Sequence, residues 1–197
     1  DTPGYNFATT TERRVNGARL LTVLDWDDTI MPTKDIVKHD GEMKLPRRYI
    51  SIAASVLELL LDLCADDGLI ILTSSTEGWV EQSCAAFAPE LTPLLERARI
   101  VHTPKATRQL GLKQKCPAVV KLVNEFSRTG TGSDEDSLEI LLLGNMPGDV
   151  EPAKALRTLY PGVSVKTCLL KEVPTLLELE RQLFYLLHSL IGLMNDN

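Results

Sequence analysis

No stretch of about 18 uncharged apolar residues runs through this chain, so no transmembrane helix is expected. Cysteine is scarce. Cys64, Cys84, Cys116 and Cys168 lie far apart, with no CxxC pair and no histidine at ligand spacing. This argues against a zinc site and for reduced thiols in an intracellular, reducing compartment. Basic residues are in deficit, 21 Lys and Arg against 27 Asp and Glu, for a net charge of −6. The chain therefore carries no direct signature of a protein that grips nucleic acid through its phosphates. Internal repeats are lacking too. The opening "DTPGYNFATTTERRVNGAR" has no apolar signal core and starts at Asp1 rather than Met, which suggests a trimmed or processed start. The cytoplasm is the expected location, with an organelle the alternative if a targeting segment has been removed.

What the chain does hold is 197 residues that are 44% hydrophobic, enough for one domain with a core of ordinary size. Short β-rich apolar runs alternate with longer helical patterns. Residues 20–24 (LLTVL), 69–73 (LIILT), 99–103 (RIVHT), 138–143 (LEILLL) and 164–170 (SVKTCLL) read as five strands. Continuous apolar runs suit strands covered on both faces of a parallel sheet. Between them, Ala53, Val56, Leu57, Leu60 and Cys64 form one helix face within 50–65. Ser74, Ser75 and Thr76 offer N-caps for a helix starting near Glu77, which Pro89 and Pro93 break. Pro117 fits the first turn of a helix running to Ser127, and the polar "TGTGSDEDS" at 129–137 reads as a loop insertion. This rhythm predicts an α/β fold with a doubly wound, mostly parallel five-stranded sheet and helices on both faces. Ligands in such folds bind beyond the carboxyl ends of the strands.

Chemistry collects at those ends. Strand one is followed by Asp25, Trp26, Asp27, Asp28 and Thr29, strand two ends in Thr73 and Ser74, and strand four runs into "GNMPGD", residues 144–149. Lys113 and Lys115 precede the Pro117 helix. A carboxylate can attack phosphorus, and Mg²⁺ seeks hard oxygen ligands such as Asp25, a backbone carbonyl and Asn145 or Asp149. A hydroxyl and an ammonium would hold the phosphoryl oxygens, and a second acid could protonate the leaving oxygen.

"VLDWDDT" resembles the DxDx[T/V] motif of the haloacid dehalogenase (HAD) superfamily, and "LIILTS" its second motif, an apolar strand ending in Thr or Ser. "LLLGNMPGD" resembles its fourth, GDxxxD, with Asn145 in place of the first Asp. The stretch "EGWVEQSCAAFAPELTPLL…RIV" is similar to HAD-like proteins of unicellular eukaryotes. The resemblance implies a HAD-like Rossmannoid domain over 18–172, between an N-terminal extension (1–17) and a C-terminal apolar helix (173–197). It implies Asp25 as nucleophile and Mg²⁺ ligand, and Asp27 as general acid/base that also gives a carbonyl to the metal. Thr73 and a lysine would bind the phosphoryl group, with Asn145 and Asp149 in the metal shell. Lys115 is preferred because it directly precedes a helix start, as the family's third motif does; Lys113 and Lys105 are the alternatives. Asp28 reads as a turn or cap acid.

The resemblance thus implies a Mg²⁺-dependent phosphomonoester hydrolase working through an aspartyl-phosphate. Only about twenty residues separate Asp28 from the helix near Tyr49, so no large cap domain fits. A minimal-cap, open site suits a large phosphorylated macromolecule, or a partner protein that closes the site. Asn145 brings no charge to the metal, and this favours the alternative of a weakly active or inactive HAD-like scaffold subunit. In the C-terminal segment, Leu176, Leu179, Leu183, Leu186, Leu190 and Leu193 form one stripe. Leu177, Phe184, Leu187, Ile191 and Met194 form a second. One stripe suffices to cover the sheet domain, and the second points to association with a partner or another copy.

Overall fold

The computed structural model describes residues 18–103, 105–129 and 137–195; the extension at 1–17 and most of the polar loop, 130–136, lie outside the described residues. Five strands form one sheet: β1 (Arg19–Leu24), β2 (Leu69–Thr73), β3 (Arg99–His102), β4 (Leu138–Gly144) and β5 (Ser164–Leu169). All neighbours pair in parallel, in the order β3-β2-β1-β4-β5. Every residue of β1 is buried, as its continuous apolar run requires at the centre of a sheet covered on both faces.

Alternate side chains of β1 feed two separate cores. Leu20 and Leu24 pack with α2 (Arg47–Leu63), α3 (Trp79–Phe87) and α8 (Leu176–Asn195) on one face. Leu21 and Val23 pack with α5 (Cys116–Arg128) and α7 (Pro152–Leu159) on the other. This doubly wound, Rossmann-like α/β fold has its topological switch between β1 and β4, where one crossover runs to each face. A crevice opens there beyond the strand ends. The connections across it are light. Between β1 and α2 lies only α1 (Thr33–Lys38), and between β3 and α5 only a 3₁₀ segment, Lys105–Lys113.

One local expectation needs correction. The helix after β2 starts at Trp79, behind Gly78 in a left-handed turn (φ 81), with no side-chain cap from Ser74, Ser75 or Thr76. Ser75 is committed elsewhere, as the site geometry makes plain. The broken stretch after α3 is a 3₁₀ turn at Pro89–Leu91 followed by the four-residue α4 (Thr92–Leu95).

α8 separates its two stripes. Leu179, Leu183, Leu186 and Leu190 are buried against the domain, while Leu177, Phe184 and Ile191 are exposed. Its start is pinned by Leu176 N–H donating to Asp35 Oδ2 at 2.6 Å and by an Arg48–Glu180 ion pair at 3.1 Å. Leu193 and Met194 have side chains outside the described residues. Leu183→Ala is expected to cost about 2–5 kcal/mol through lost transfer energy and a residual cavity. Phe184→Ala, one position on, should stay within about 1 kcal/mol, because its exposed ring loses little burial. Urea denaturation of the two variants checks the pair.

No helix among the described residues is long and apolar enough to cross a membrane.

Candidate functional site

β1 ends between β2 and β4, so Asp25 emerges at the switch point, with its N–H donating to the Leu143 carbonyl at 2.8 Å. Trp26 turns into the core, fully buried, and donates its indole N–H to Ser83 Oγ at 2.9 Å. The tryptophan between the acids therefore anchors the loop, while Asp25 and Asp27 both line a pocket of about 570 Å³. Lys115, Asn145 and Asp149 line the same pocket.

The centre of the site is an ion triad. Lys115 Nζ lies 2.5 Å from Asp25 Oδ1 and 2.6 Å from Asp149 Oδ1, and all three residues are buried. Lys115 reaches it from the last residue before α5, where Pro117 occupies the first turn. Asp149 is the third residue of the short helix α6 (Pro147–Val150), and its Oδ2 accepts from Met146 N–H at 2.8 Å. Gly144 makes room for it: a Cβ there would fall 2.4 Å from Asp149 Oδ2. Lys113, the alternative lysine, lies in the 3₁₀ segment and does not line the pocket; the side chain of Lys105 lies outside the described residues.

Burial pushes the Asp25 carboxyl up to about 7, with Lys115 pulling the other way and the Asp149 and Asp27 charges adding to the rise. Burial also disfavours the Lys115 ammonium, but Asp25 and Asp149 outweigh it, so its pKa stands above the ordinary lysine value. The triad is thus a permanent cation between two acids, one of them reluctant to ionise.

Asp27 occupies a different environment. Its Oδ1 accepts from Thr33 Oγ1 and from the Trp79 indole N–H, both at 2.7 Å. Its Oδ2 accepts from Ser75 Oγ at 2.7 Å and from Thr73 Oγ1 at 3.4 Å. Four donors fix this side chain in one rotamer. Thr73, expected as a phosphoryl ligand, is fully buried and points its hydroxyl at Asp27. Asp28 sits in a left-handed conformation (φ 54) and accepts from Lys34 N–H at 2.8 Å, in the first turn of α1. Burial raises its pKa, against the pull of Lys34.

Asn145 tests whether a cation fits. Its Nδ2 donates to the Glu172 carbonyl at 2.7 Å, which fixes the amide orientation and turns Oδ1 toward Thr29 Oγ1 at 3.5 Å. The same hydroxyl lies 3.2 Å from Asp25 Oδ2. One hydroxyl proton cannot serve both oxygens, so a buried amide oxygen and a carboxylate oxygen converge with one donor between them. Such a pair, with the Asp27 carbonyl nearby in sequence, suits a hard divalent cation. Asp149 differs, because both its oxygens are engaged by Lys115 and Met146. Among the described residues, no three carboxylate, imidazole or thiolate side chains converge on one metal position.

No family model, curated protein or solved structure matches this chain. Sequence reasoning missed the donors around Asp27. Trp79, Ser75 and Thr33 carry no motif that ties them to an acid up to 52 residues away. The Asp149 contact was more accessible, since Pro147 followed by Asp149 is the pattern of a first helical turn whose acid reaches back to the cap N–H.

Proposed function

We propose that this chain is a Mg²⁺-dependent phosphomonoester hydrolase in which Asp25 takes up the phosphoryl group. The observation that carries the reading is the buried Lys115 ammonium held 2.5 Å from Asp25 at the floor of an open pocket, at the fold's switch point. The three HAD-like motifs support the same reading, since they supply Asp25, Ser74 and Asp149 to one crevice.

In the first step an Asp25 oxygen bonds to phosphorus while the ester P–O bond breaks, and the leaving oxygen keeps the electron pair. Lys115 sits where its charge stabilises the phosphoryl oxygens and lowers the share of neutral Asp25. In the second step water attacks phosphorus, the bond to Asp25 breaks, and phosphate departs. Asp27, held at the pocket wall, is the carboxylate that takes the water proton. Asp25, the Asp27 carbonyl and Asn145 Oδ1 would hold Mg²⁺. When bound, that cation would offset the negative charge of nucleophile and phosphate. An open pocket without a covering domain suits a large phosphorylated molecule, or a partner protein that closes it.

A weakly active or inactive scaffold is the second reading, favoured by the uncharged Asn145 and the exposed stripe of α8. Hydrolysis of an aryl phosphate with Mg²⁺ or with chelator separates the two. The enzyme reading expects turnover that needs Mg²⁺ and falls about a thousandfold or more in Asp25→Asn. Absence of both turnover and Mg²⁺ binding would leave the scaffold.

A further inference from the structure

We propose that Trp79 is the residue that positions Asp27, and that the chain's two tryptophans clasp the loop of acids to α3. The inference rests on the phosphatase reading above for the role it gives Asp27. Two independent observations carry it.

The first is a reciprocal pair of hydrogen bonds. Trp26, beside Asp27 in the loop, donates its indole N–H to Ser83 Oγ on α3 at 2.9 Å. Trp79, one helical turn before Ser83, donates its own indole N–H back to Asp27 Oδ1 at 2.7 Å. Residues four apart share a helix face, so both bonds cross the same seam. Each end is prepared. The Ser83 hydroxyl donates to the Val80 carbonyl at 3.1 Å, which leaves its oxygen lone pairs for Trp26. Gly78, with its φ of 81, and Trp79 N–H donating to the Thr76 carbonyl at 3.1 Å form the turn that delivers Trp79 to the crevice.

The second concerns what the other three donors can do. Thr33, Ser75 and Thr73 offer hydroxyls, whose protons rotate and whose oxygens also accept. Thr33 Oγ1 lies 3.4 Å from the Met31 carbonyl as well as 2.7 Å from Asp27, so its proton has a second acceptor. Thr73 Oγ1 stands off at 3.4 Å and itself accepts from Ser75 N–H at 3.0 Å. Ser75 lines the pocket, where an incoming phosphate competes for its hydroxyl. An indole N–H only donates, and its rigid ring moves with the helix that carries it. Trp79 is half-buried and is not among the residues that line the pocket. It therefore acts through Asp27 rather than on the substrate, and it sets where that side chain lies relative to Asp25.

The test uses the full chain with phenyl phosphate and Mg²⁺. Trp79→Phe keeps an aromatic ring in place and deletes the N–H. It should lower kcat about ten- to a hundredfold with KM within about twofold, because a small misplacement of a reacting group costs rate rather than binding. In the Asp27→Ala background the same substitution should cost no further kcat, since the group it positions is gone. Nuclear magnetic resonance adds a readout without turnover. Protein made with isotope-labelled tryptophan shows two indole N–H signals, and Trp79→Phe assigns them. Asp27→Ala should move the Trp79 signal upfield, well beyond any shift of the Trp26 signal. A Trp79 signal that ignores Asp27→Ala, an unchanged kcat in Trp79→Phe, or an equal further loss in the Asp27→Ala background would overturn the inference and leave the phosphatase reading intact. No turnover by the parent, with the Trp79 signal moved by Asp27→Ala, would overturn the phosphatase reading alone and support the clasp.

Discussion

Lys115→Met is expected to cost the fold about 3–5 kcal/mol at pH 8 and to abolish turnover of any phosphate ester. The lysine is 4% exposed, and its ammonium is the partner of both Asp25 and Asp149. Methionine fills much the same volume, so the loss is one of charge rather than of packing. Without the ammonium, two buried carboxylates face each other, and the native state relieves this by taking up protons. The Asp25 carboxyl, already raised by burial, then loses the pull of Lys115 and rises further above its unfolded value. The native state binds more protons over that interval, so stability falls as pH rises across it. The deficit of the variant should accordingly be larger at pH 8 than at pH 5. Urea titrations at the two pH values measure it. A loss under about 1 kcal/mol at pH 8 would mark the triad as no better than a surface ion pair and would contradict its burial.

Asp25→Asn is expected to act in the opposite direction on stability, though it removes the proposed nucleophile. In the native state Asp25 titrates at about 7, against an ordinary 3.8, chiefly because it is buried. Below about pH 4 this group is protonated folded or unfolded and contributes no difference. As pH climbs from about 4 to about 7, the unfolded chain loses the proton first, and the fold is progressively penalised. Above about 7 the penalty is full, with an upper bound on the order of 4 kcal/mol. Asparagine escapes it at little geometric cost. Its Oδ1 can accept from Lys115, and its amide can donate to the Thr29 hydroxyl that now faces Asp25 Oδ2. The Mg²⁺-free variant should therefore be more stable than the parent at pH 8, by about 1–4 kcal/mol, and the gap should close toward pH 4. Thermal melts across that range check it; a variant less stable at pH 8 than at pH 4, relative to the parent, would reverse the sign. A site that destabilises its own fold is what stored electrostatic strain at a functional centre looks like.

The fold was more legible than the site. The five strands fall within two residues of the apolar runs that mark them, because a parallel sheet buried on both faces demands continuous hydrophobicity. Asp25 and Lys115 were legible by position, one after the central strand and one before a proline-marked helix. The setting of Asp27 was not. Thr33, Ser75 and Trp79 meet it only because α1, the β2 exit and α3 converge across the crevice, and no local spacing encodes that. The same convergence explains why Ser75 does not cap α3: its hydroxyl is bonded to Asp27. The pairing of Lys115 with Asp149 was hidden for a related reason. An acid after strand four could face a metal or a lysine, and only the close approach over Gly144 decides. The two stripes of α8 were visible in sequence. Which one is buried depends on how α8 lies against α2, a matter of tertiary packing.

The central claim is that Asp25 carries the phosphoryl group. The enzyme, mixed with phenyl phosphate and Mg²⁺ and quenched in acid, can be digested and weighed by mass spectrometry. The account predicts the mass gain of one phosphoryl group on the peptide holding Asp25, lost on mild alkaline treatment and missing in Asp25→Asn. Phosphate release that continues with no label on Asp25, or with the label on another residue, would contradict it.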